Sequence, residues 1–532
     1  MKLPRLLQDW VTVQARTRPD ATAVVCGAAR LSYGELDALS NRLARVLREA
    51  GCRQGEPIAL LVPKSPVAIA SLLGIYKADG ICVPLDPASP SARLHRMITT
   101  CAIRWMLAGG EIEPLLREIV AAEPPGRLSI GWLDQTAPRA LNVEFRVEDL
   151  SVYPADPVRV RNRSFHAAHV VFTSGSSAPR AVVLTHANVM HTAAWATRSF
   201  GLESGDRLSC HSPLHLDLAL LDVFAAMAVG AQLHLVPPLV SVLPNNLAAF
   251  IGTSEITHWC SVPSVLSHMA QFDLVGDFPA LKRVVWAGDS LSRSSLAHWT
   301  TRLPHVAFTH LYGSAETGIV SASYTVAAGG DAPASIPIGT PCTGQELLVL
   351  GPALESLPAG AVGDLYVGGV GVARGYWGDI AQTNAAFVRH PQHPEQRLFR
   401  TGDRARIDGN GVVHLEGRRD GQIKTRGYRV ELAEIESALS SIDAVKDSAI
   451  VALDHSGLDG ALICCAYVPK AAGACSPITL RRQLSRLVPS YMLPVHWMPS
   501  DALPVGGNGK VDRVRLKGLF EQRIGATQRQ SA

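Results

Sequence analysis

Metal-binding cysteine spacing is missing from this 532-residue sequence: it has no CxxC, and of its ten scattered cysteines only Cys464-Cys465 are close together. Structural zinc and iron–sulfur sites need thiolates at fixed short spacings, and small secreted folds need a dense disulfide framework. Neither fits, so the thiols are expected to be reduced, as in a cytoplasmic protein. Blocks of Lys and Arg interleaved with aromatics are also absent, and the net charge of +4 is small for this length. Nucleic acid and anionic membrane are therefore not expected as partners. Pro4 and Arg5 fall where the apolar core of a signal peptide would begin. The longest apolar stretches, residues 68–76 and 218–240, are too short or are broken by Asp222, Gln232, His234 and two prolines, so no membrane span is expected. Internal repeats, coiled-coil heptads and low-complexity segments are lacking as well.

What the chain does contain is globular: 47% hydrophobic and 18% charged residues, over a length that exceeds one core. Apolar residues recur at helical spacing from Leu36 to Leu47, with Gly51 as a stop, and residues 58–62 read as a buried strand. A helix over 67–76 and strands over 81–84, 169–173, 232–236 and 283–287 continue the alternation, which implies a largely parallel α/β sheet covered on both faces. From Pro352 the texture changes to Gly-rich alternating segments, such as 363–369 and 411–417, as in a small β subdomain. Past a boundary near 418–421, helices over 430–439 and 478–487 and strands over 448–453 and 461–468 describe a tail of ~110 residues, an ordinary domain size. The expected fold class is α/β: a large N-terminal α/β domain with layered sheets and a small β subdomain, residues 1–419, and a smaller α+β domain, residues 420–532.

One stretch draws attention, Val170-Val-Phe-Thr-Ser-Gly-Ser-Ser-Ala-Pro-Arg-Ala-Val-Val-Leu-Thr-His186. It follows a predicted strand and precedes a plausible helix from His186, and ligands of parallel sheets sit beyond strand C-termini. Thr173, Ser174, Ser176 and Ser177 offer hydroxyl donors, Gly175 permits close approach of backbone N–H groups, and Arg180 adds positive charge. Composition alone leaves a phosphate cradle and a solvated Ser-rich turn both open.

Seven stretches together resemble the adenylate-forming superfamily, and within it the amino-acid-activating adenylation domains of nonribosomal peptide synthesis. They are Tyr76-Lys-Ala-Asp-Gly-Ile-Cys-Val-Pro-Leu-Asp-Pro87, the loop above, Leu311-Tyr-Gly-Ser-Ala-Glu-Thr317, the Gly363–Trp377 segment, Phe399-Arg-Thr-Gly-Asp403, the Gly417–Glu436 segment and Asn508-Gly-Lys-Val-Asp-Arg513. They follow the family order over nearly the whole chain. The resemblance implies an ATP-dependent, AMP-forming ligase using ATP and Mg²⁺. In such a reaction a carboxylate attacks the α-phosphate while pyrophosphate leaves, so catalysis is mainly charge neutralisation and alignment.

By resemblance, Lys510 is the adenylation lysine, on a loop flanked by Gly506, Gly507 and Gly509. A surface lysine near the terminus is the plainer reading. This is no Walker loop, since Val511 stands where Ser or Thr would bind the metal. Glu316 matches the metal-side carboxylate, a hard oxygen ligand for Mg²⁺. Tyr312 would lie against adenine, with Gly313, Ser314 and Ala315 beside the nucleotide. Asp403 would accept the ribose hydroxyls and Arg418 would help to hold ribose or phosphate. Asp420 matches the family hinge, about which the tail would rotate to withdraw Lys510 and present the Lys424 face for thioester formation. The phosphate loop departs from the pattern: it is one residue shorter, has Ala178 in place of a Gly-containing pair, and carries Arg180 and Ala181 for Lys and Gly. A looser grip on the pyrophosphate end of ATP is expected.

Asp217 lies in an apolar run and matches the aspartate that pairs with a substrate α-amino group, which favours an amino acid over an acyl substrate; Asp222 reads as a helix-capping residue. The projected side-chain pocket is Leu218, Leu221, Cys260, Val285, Ala287, Leu311, Ile319 and Val320, with Gly288 in the adjoining substrate loop. No charged or amide side chain occurs in it, so a small apolar side chain is expected, and the set resembles that of free-standing L-proline-activating enzymes. Valine or another small aliphatic amino acid stays open. His211 and His215 lack a third metal ligand, and Ser290 reads as loop structure. With 19 residues after Arg513 and none before the adenylation region, a stand-alone ligase is expected, loading a separate peptidyl carrier protein through its phosphopantetheine arm. The alternatives are a CoA ligase for a small carboxylic acid and a catalytically silent binding homologue.

Overall fold

A computed structural model describes residues 4–135, 138, 141–175, 179–241, 243–333, 335–418, 422–425, 427–453, 461–471, 475–504 and 511–530. The chain forms two compact units, one of Met1–Pro87, His95–Phe172 and Ala181–Arg419, the other of Ala88–Leu94, Thr173–Arg180 and Asp420–Ala532.

The first unit carries the predicted α/β alternation as two large sheets. One has nine strands, and its central strands, Thr22–Cys26, Gln232–Leu235, Arg207–Cys210, His258–Ser261, Arg283–Ala287 and Ala307–Tyr312, run parallel in that spatial order. Antiparallel strands close its two edges. The other sheet has seven strands, among them Pro57–Leu61, Ile81–Pro84 and Ala167–Thr173. Strands buried on both faces need apolar side chains throughout, and every residue of Pro57–Leu61 is buried. Helix boundaries follow local chemistry. Ser32 and Glu35 form a capping box that starts Tyr33–Glu49, and Ser65 caps Pro66–Lys77, whose first residue is the proline. Trp259, Trp286 and Trp299 fill one core cluster, and Tyr76 and Phe224 help fill another.

The Gly-rich region is the expected β subdomain, a five-stranded sheet of Gln345–Leu350, Gly363–Gly369, Phe387–Arg389, Arg397–Ile407 and Val413–Arg418. Its register matters below, because Asp403 faces Arg418 across neighbouring antiparallel strands.

In the second unit, strands Val445–Leu453, Leu462–Pro469 and His496–Pro499 form one sheet, packed with Leu432–Ser440 and Pro477–Leu484 through Ile435, Leu439, Ile450, Tyr467 and Leu480. The sequence expectation of a helix from Val430 is corrected here. Val430 and Glu431 belong to the hairpin strand Tyr428–Glu431, paired with Gln422–Thr425, and the helix begins at Leu432. Lys424 lies in that hairpin, opposite Arg429. All ten cysteines are free, and among the described residues no helix is long and apolar enough to cross a membrane.

Candidate active site

Tyr312 ends the strand Ala307–Tyr312, and Asp403 lies within Arg397–Ile407. Both are buried, and the Tyr312 hydroxyl donates to Asp403 Oδ2 at 2.6 Å. From the facing strand Arg418 Nη1 donates to Asp403 Oδ1 at 2.5 Å, while its Nη2 reaches the Thr401 carbonyl at 3.0 Å. Thr401 Oγ1 accepts from the Asp403 N–H at 3.0 Å and donates to the Leu365 carbonyl at 2.8 Å. A carboxylate has about four lone-pair sites. One donor on each oxygen fixes its orientation and leaves acceptor capacity suited to a diol. Burial first, and then the neighbouring Asp403 charge, push the Tyr312 phenol well above its usual range, so it stays a donor.

From Tyr312 the chain makes a tight knot. Ser314 N–H donates to Thr317 Oγ1 at 3.0 Å, Ile319 N–H to the Ser314 carbonyl at 2.9 Å, and Ser321 N–H to the Tyr312 carbonyl at 2.7 Å. Gly313 has to be glycine: a Cβ there would stand 2.2 Å from the Ile319 carbonyl oxygen. Ile319 has φ +82°, a left-handed backbone that a β-branched residue adopts only under strain of about 1–2 kcal/mol. Ala315 and Glu316 fall in the short turn Ala315–Thr317, and Glu316 is fully buried. The Tyr376 hydroxyl donates to Glu316 Oε1 at 3.2 Å, and Ala373 N–H donates to the Glu316 carbonyl at 2.9 Å.

Residues of the projected acid pocket fall within one extended core cluster. Leu218, Leu221, Cys260, Val285, Leu311, Ile319 and Val320 share a single buried cluster, with Ala287 packed against it. Strand register brings four of them into pairs, Cys260 beside Val285 and Ala287 beside Leu311. Gly288 leaves that strand at φ +97°. Asp217 is half-buried at the N-cap position of Leu218–Val229, yet its side chain makes no capping bond. The positive end of the helix dipole favours a carboxylate there.

Asp222 is not a cap. It sits inside the helix Leu218–Val229, buried, and with Leu221, Cys260 and Val285 lines a cavity of about 20 Å³. That volume holds about one water-sized atom. Asp222 Oδ2 has no hydrogen-bond partner among the described residues. Burial raises this carboxyl well above its ordinary range, and a Cys260 hydrogen bond and the Lys64 charge offset only part of that rise. His211 is likewise held neutral by burial, with a pKa lowered to about 3, its ring 5.5 Å from that of Trp259. Among the described residues no group of three or more His, Cys, Asp or Glu could hold a metal ion.

Part of the phosphate loop belongs to the second unit. Thr173 Oγ1 is buried without a partner among the described residues. Ser174 Oγ donates to Glu434 Oε2 at 2.5 Å and Gly175 N–H to the same oxygen at 3.3 Å, while Arg93 donates to Glu434 Oε1. Arg180 pairs with Glu431 at 2.9 Å. Three donors expected for phosphate, the Ser174 hydroxyl, the Gly175 N–H and Arg180, thus hold carboxylates. Ser176, Ser177, Asp420 and Lys510 lie outside the described residues.

Comparison with known families decides what this geometry belongs to, because the AMP-binding enzyme family matches residues 11–377 and the AMP-binding enzyme C-terminal domain matches 434–510. The chain belongs to the AMP-binding enzyme family. An ATP-dependent, AMP-forming ligase is the class that this membership carries, as the motifs implied. The AMP-binding enzyme is 30% identical over 515 residues to tyrocidine synthase 3 of Brevibacillus parabrevis, a match that takes 97% of this chain but 8% of that protein's length. Its fold is similar to that of the Vibrio cholerae adenylation domain AlmE in complex with glycyl-adenosine-5'-phosphate, at a TM-score of 0.84 and 22% identity, covering 98% of this chain and 99% of the other. It is also similar to NpsA-ThdA, an artificially fused adenylation–PCP di-domain from Klebsiella oxytoca, at a TM-score of 0.78 and 21% identity, covering 93% and 94%. The large N-terminal and smaller C-terminal α/β architecture is that of these adenylation structures.

Sequence reasoning about this AMP-binding enzyme missed Glu434, Arg93 and the Tyr376 contact to Glu316. Glu434 stood in plain view within Glu431-Leu-Ala-Glu-Ile-Glu436, but nothing in the motif tells which of its three carboxylates faces inward.

Proposed function

We propose that this chain activates a small apolar amino acid, L-proline first, as aminoacyl-AMP, and then transfers it to the phosphopantetheine thiol of a separate peptidyl carrier protein. The carrying observation is Asp217, a carboxylate that caps no helix, joined directly to an apolar cluster with Leu218, Leu221 and Val285 in it. A carboxylate beside an apolar pocket suits an ammonium group followed by a small aliphatic side chain. The relatives point the same way: AlmE is described with a glycyl adenylate, and the Klebsiella protein joins an adenylation domain to a PCP.

In this reading a substrate carboxylate oxygen attacks the α-phosphorus of ATP, the bond to the oxygen bridging the β-phosphate breaks, and pyrophosphate departs. Asp403, oriented by Tyr312 and Arg418, takes the ribose. Lys510 bridges the attacking carboxylate and the α-phosphate. Glu316, a buried carboxylate steadied by the Tyr376 hydroxyl, is a hard oxygen ligand of the kind that would hold Mg²⁺, which would supply charge neutralisation at the phosphates. Residues 1–419 and 420–532 act as core and moving domain about Asp420, with Lys424 on the face used for thioester formation.

Amino-acid-dependent ATP–pyrophosphate exchange across the proteinogenic set tests the proposal. Proline should drive the fastest exchange, and Asp217→Ala should lower kcat/KM for it by about thirtyfold or more, the cost of removing one partner of a desolvated ion pair. Exchange driven by a fatty or aryl acid with proline inert, or CoA as the productive thiol acceptor, would overturn it.

A further inference from the structure

Lys64 belongs to the short connection between strand Pro57–Leu61 and helix Pro66–Lys77, far in sequence from the acid pocket. Its ammonium nevertheless converges on three successive carbonyls of another connection: Cys210 at 2.7 Å, His211 at 2.8 Å and Ser212 at 3.3 Å. An ammonium has three N–H donors in a tripod, and here each has its own carbonyl. Arginine's planar fork would not reproduce that arrangement.

The clasped segment starts where strand Arg207–Cys210 ends and runs irregularly to Asp217, at the head of the helix Leu218–Val229. No strand or helix ladder orders residues 211–216; the Cys210 carbonyl still accepts from Val236 N–H at 3.2 Å in the sheet, and beyond it the clasp holds the His211 and Ser212 carbonyls, the first two past the strand end. Cys210 and Ser212 are buried. Taking a charge into such surroundings is costly unless its hydrogen bonds are complete, and burial accordingly pulls the Lys64 pKa down, opposed by Cys210, Asp222 and Cys26. A peripheral lysine would not be placed at that expense merely to cover a loop.

We propose that Lys64 is a positioning residue for amino-acid recognition: by holding the 210–212 backbone it sets where Asp217 meets the substrate ammonium. This rests on the amino-acid reading of Asp217. Lys64 touches neither substrate nor nucleotide in this scheme and acts only through the loop.

The test is a double-mutant cycle in the full chain, read by pyrophosphate exchange with proline and ATP varied separately. Lys64→Met should raise the amino-acid KM by about tenfold or more, as expected for losing charge-assisted hydrogen bonds, with kcat and the ATP KM held within about threefold. In an Asp217→Ala background the same change should alter the amino-acid KM by less than about twofold, because the group it positions is gone. Lys64→Arg should remain impaired, since charge without the tripod does not suffice. Should Lys64→Met fail to fold, Lys64→Gln, which keeps amide donors, carries the same comparison. Equal damage to the ATP and amino-acid KM values, or strictly additive effects with Asp217→Ala, would reduce Lys64 to a structural strut. A parent protein without amino-acid-dependent exchange would instead overturn the amino-acid reading itself, and this inference with it.

Discussion

Replacing Tyr312 with phenylalanine removes one oxygen and little else, and the structure sets what that oxygen does. The hydroxyl donates at 2.6 Å to a buried carboxylate that is otherwise steered by Arg418 from the facing strand. Hydrogen bonds to charged groups are worth about 1.5–3 kcal/mol, and a buried acceptor that loses its donor retains its desolvation cost. Asp403 in Tyr312→Phe would keep the Arg418 contact on one oxygen but lose the donor on the other, so it could rotate. At 1.36 kcal/mol per decade, that range spans roughly tenfold to a hundredfold. Part of it should appear as a lower unfolding midpoint, by a few degrees in a unit of this size. The remainder should appear as a higher ATP KM in pyrophosphate exchange, several-fold at least, with the amino-acid KM unchanged within about twofold. The effect should shrink in an Asp403→Asn background, where the acceptor carries no charge. A Tyr312→Phe protein with the parent's midpoint and the parent's ATP KM would refute the idea that the phenol orients the ribose carboxylate.

Two further outcomes follow from burial and backbone geometry. Gly313→Ala should cost more than about 2 kcal/mol and abolish exchange, because its methyl would meet the Ile319 carbonyl oxygen at 2.2 Å; chemical denaturation checks the first and exchange the second, and a folded, active variant would contradict the geometry. Asp222 has a raised pKa in the folded chain, so its stabilising contribution is greatest below the ordinary carboxylate pKa and is lost as pH rises. Asp222→Asn removes that loss, and its stability relative to the parent should therefore improve steadily as pH rises above the ordinary carboxylate range; a constant difference would count against a buried, protonated Asp222.

Local signals were readable in the sequence, and long-range ones only in part. The Tyr33–Glu49 helix is announced by Ser32, Glu35 and its apolar period, and Arg283–Ala287 by the apolar run Val284-Val-Trp-Ala287, because both are decided within a few residues. Leu218, Leu221, Cys260, Val285, Leu311, Ile319 and Val320 come from separate elements yet fall in one extended apolar cluster, a placement that local spacing does not encode. Asp222 was misread because its burial arises from helix His186–Phe200 and strands Arg207–Cys210 and Gln232–Leu235 packing on its helix, with Cys260 and Val285 lining the same small cavity, which no local pattern encodes. Val430 was assigned to a helix because it directly precedes the apolar period of Leu432, Ile435 and Leu439, while the pairing with Gln422–Thr425 that makes Tyr428–Glu431 a strand leaves little hydrophobic signal. The clasp of Asp403 by Tyr312 and Arg418 required strand register, a property of the folded sheet alone.

The left-handed backbone of Ile319 sets a limit on how this pocket can be redesigned. Aliphatic L-residues at that position carry a conformational penalty of about 1–2 kcal/mol, β-branched ones most of all, so a library of apolar side chains at 319 starts from a handicap. Glycine escapes it, and asparagine and aspartate tolerate it, but none of the three offers an apolar side chain to do the selecting. On the proposed amino-acid reading, stability and substrate choice are therefore opposed at this one residue, and an altered preference is cheaper to obtain at Cys260 or Val285, whose strand backbones accept β-forming residues. Directed evolution of this enzyme should accordingly move first along the two strands and leave position 319 nearly untouched.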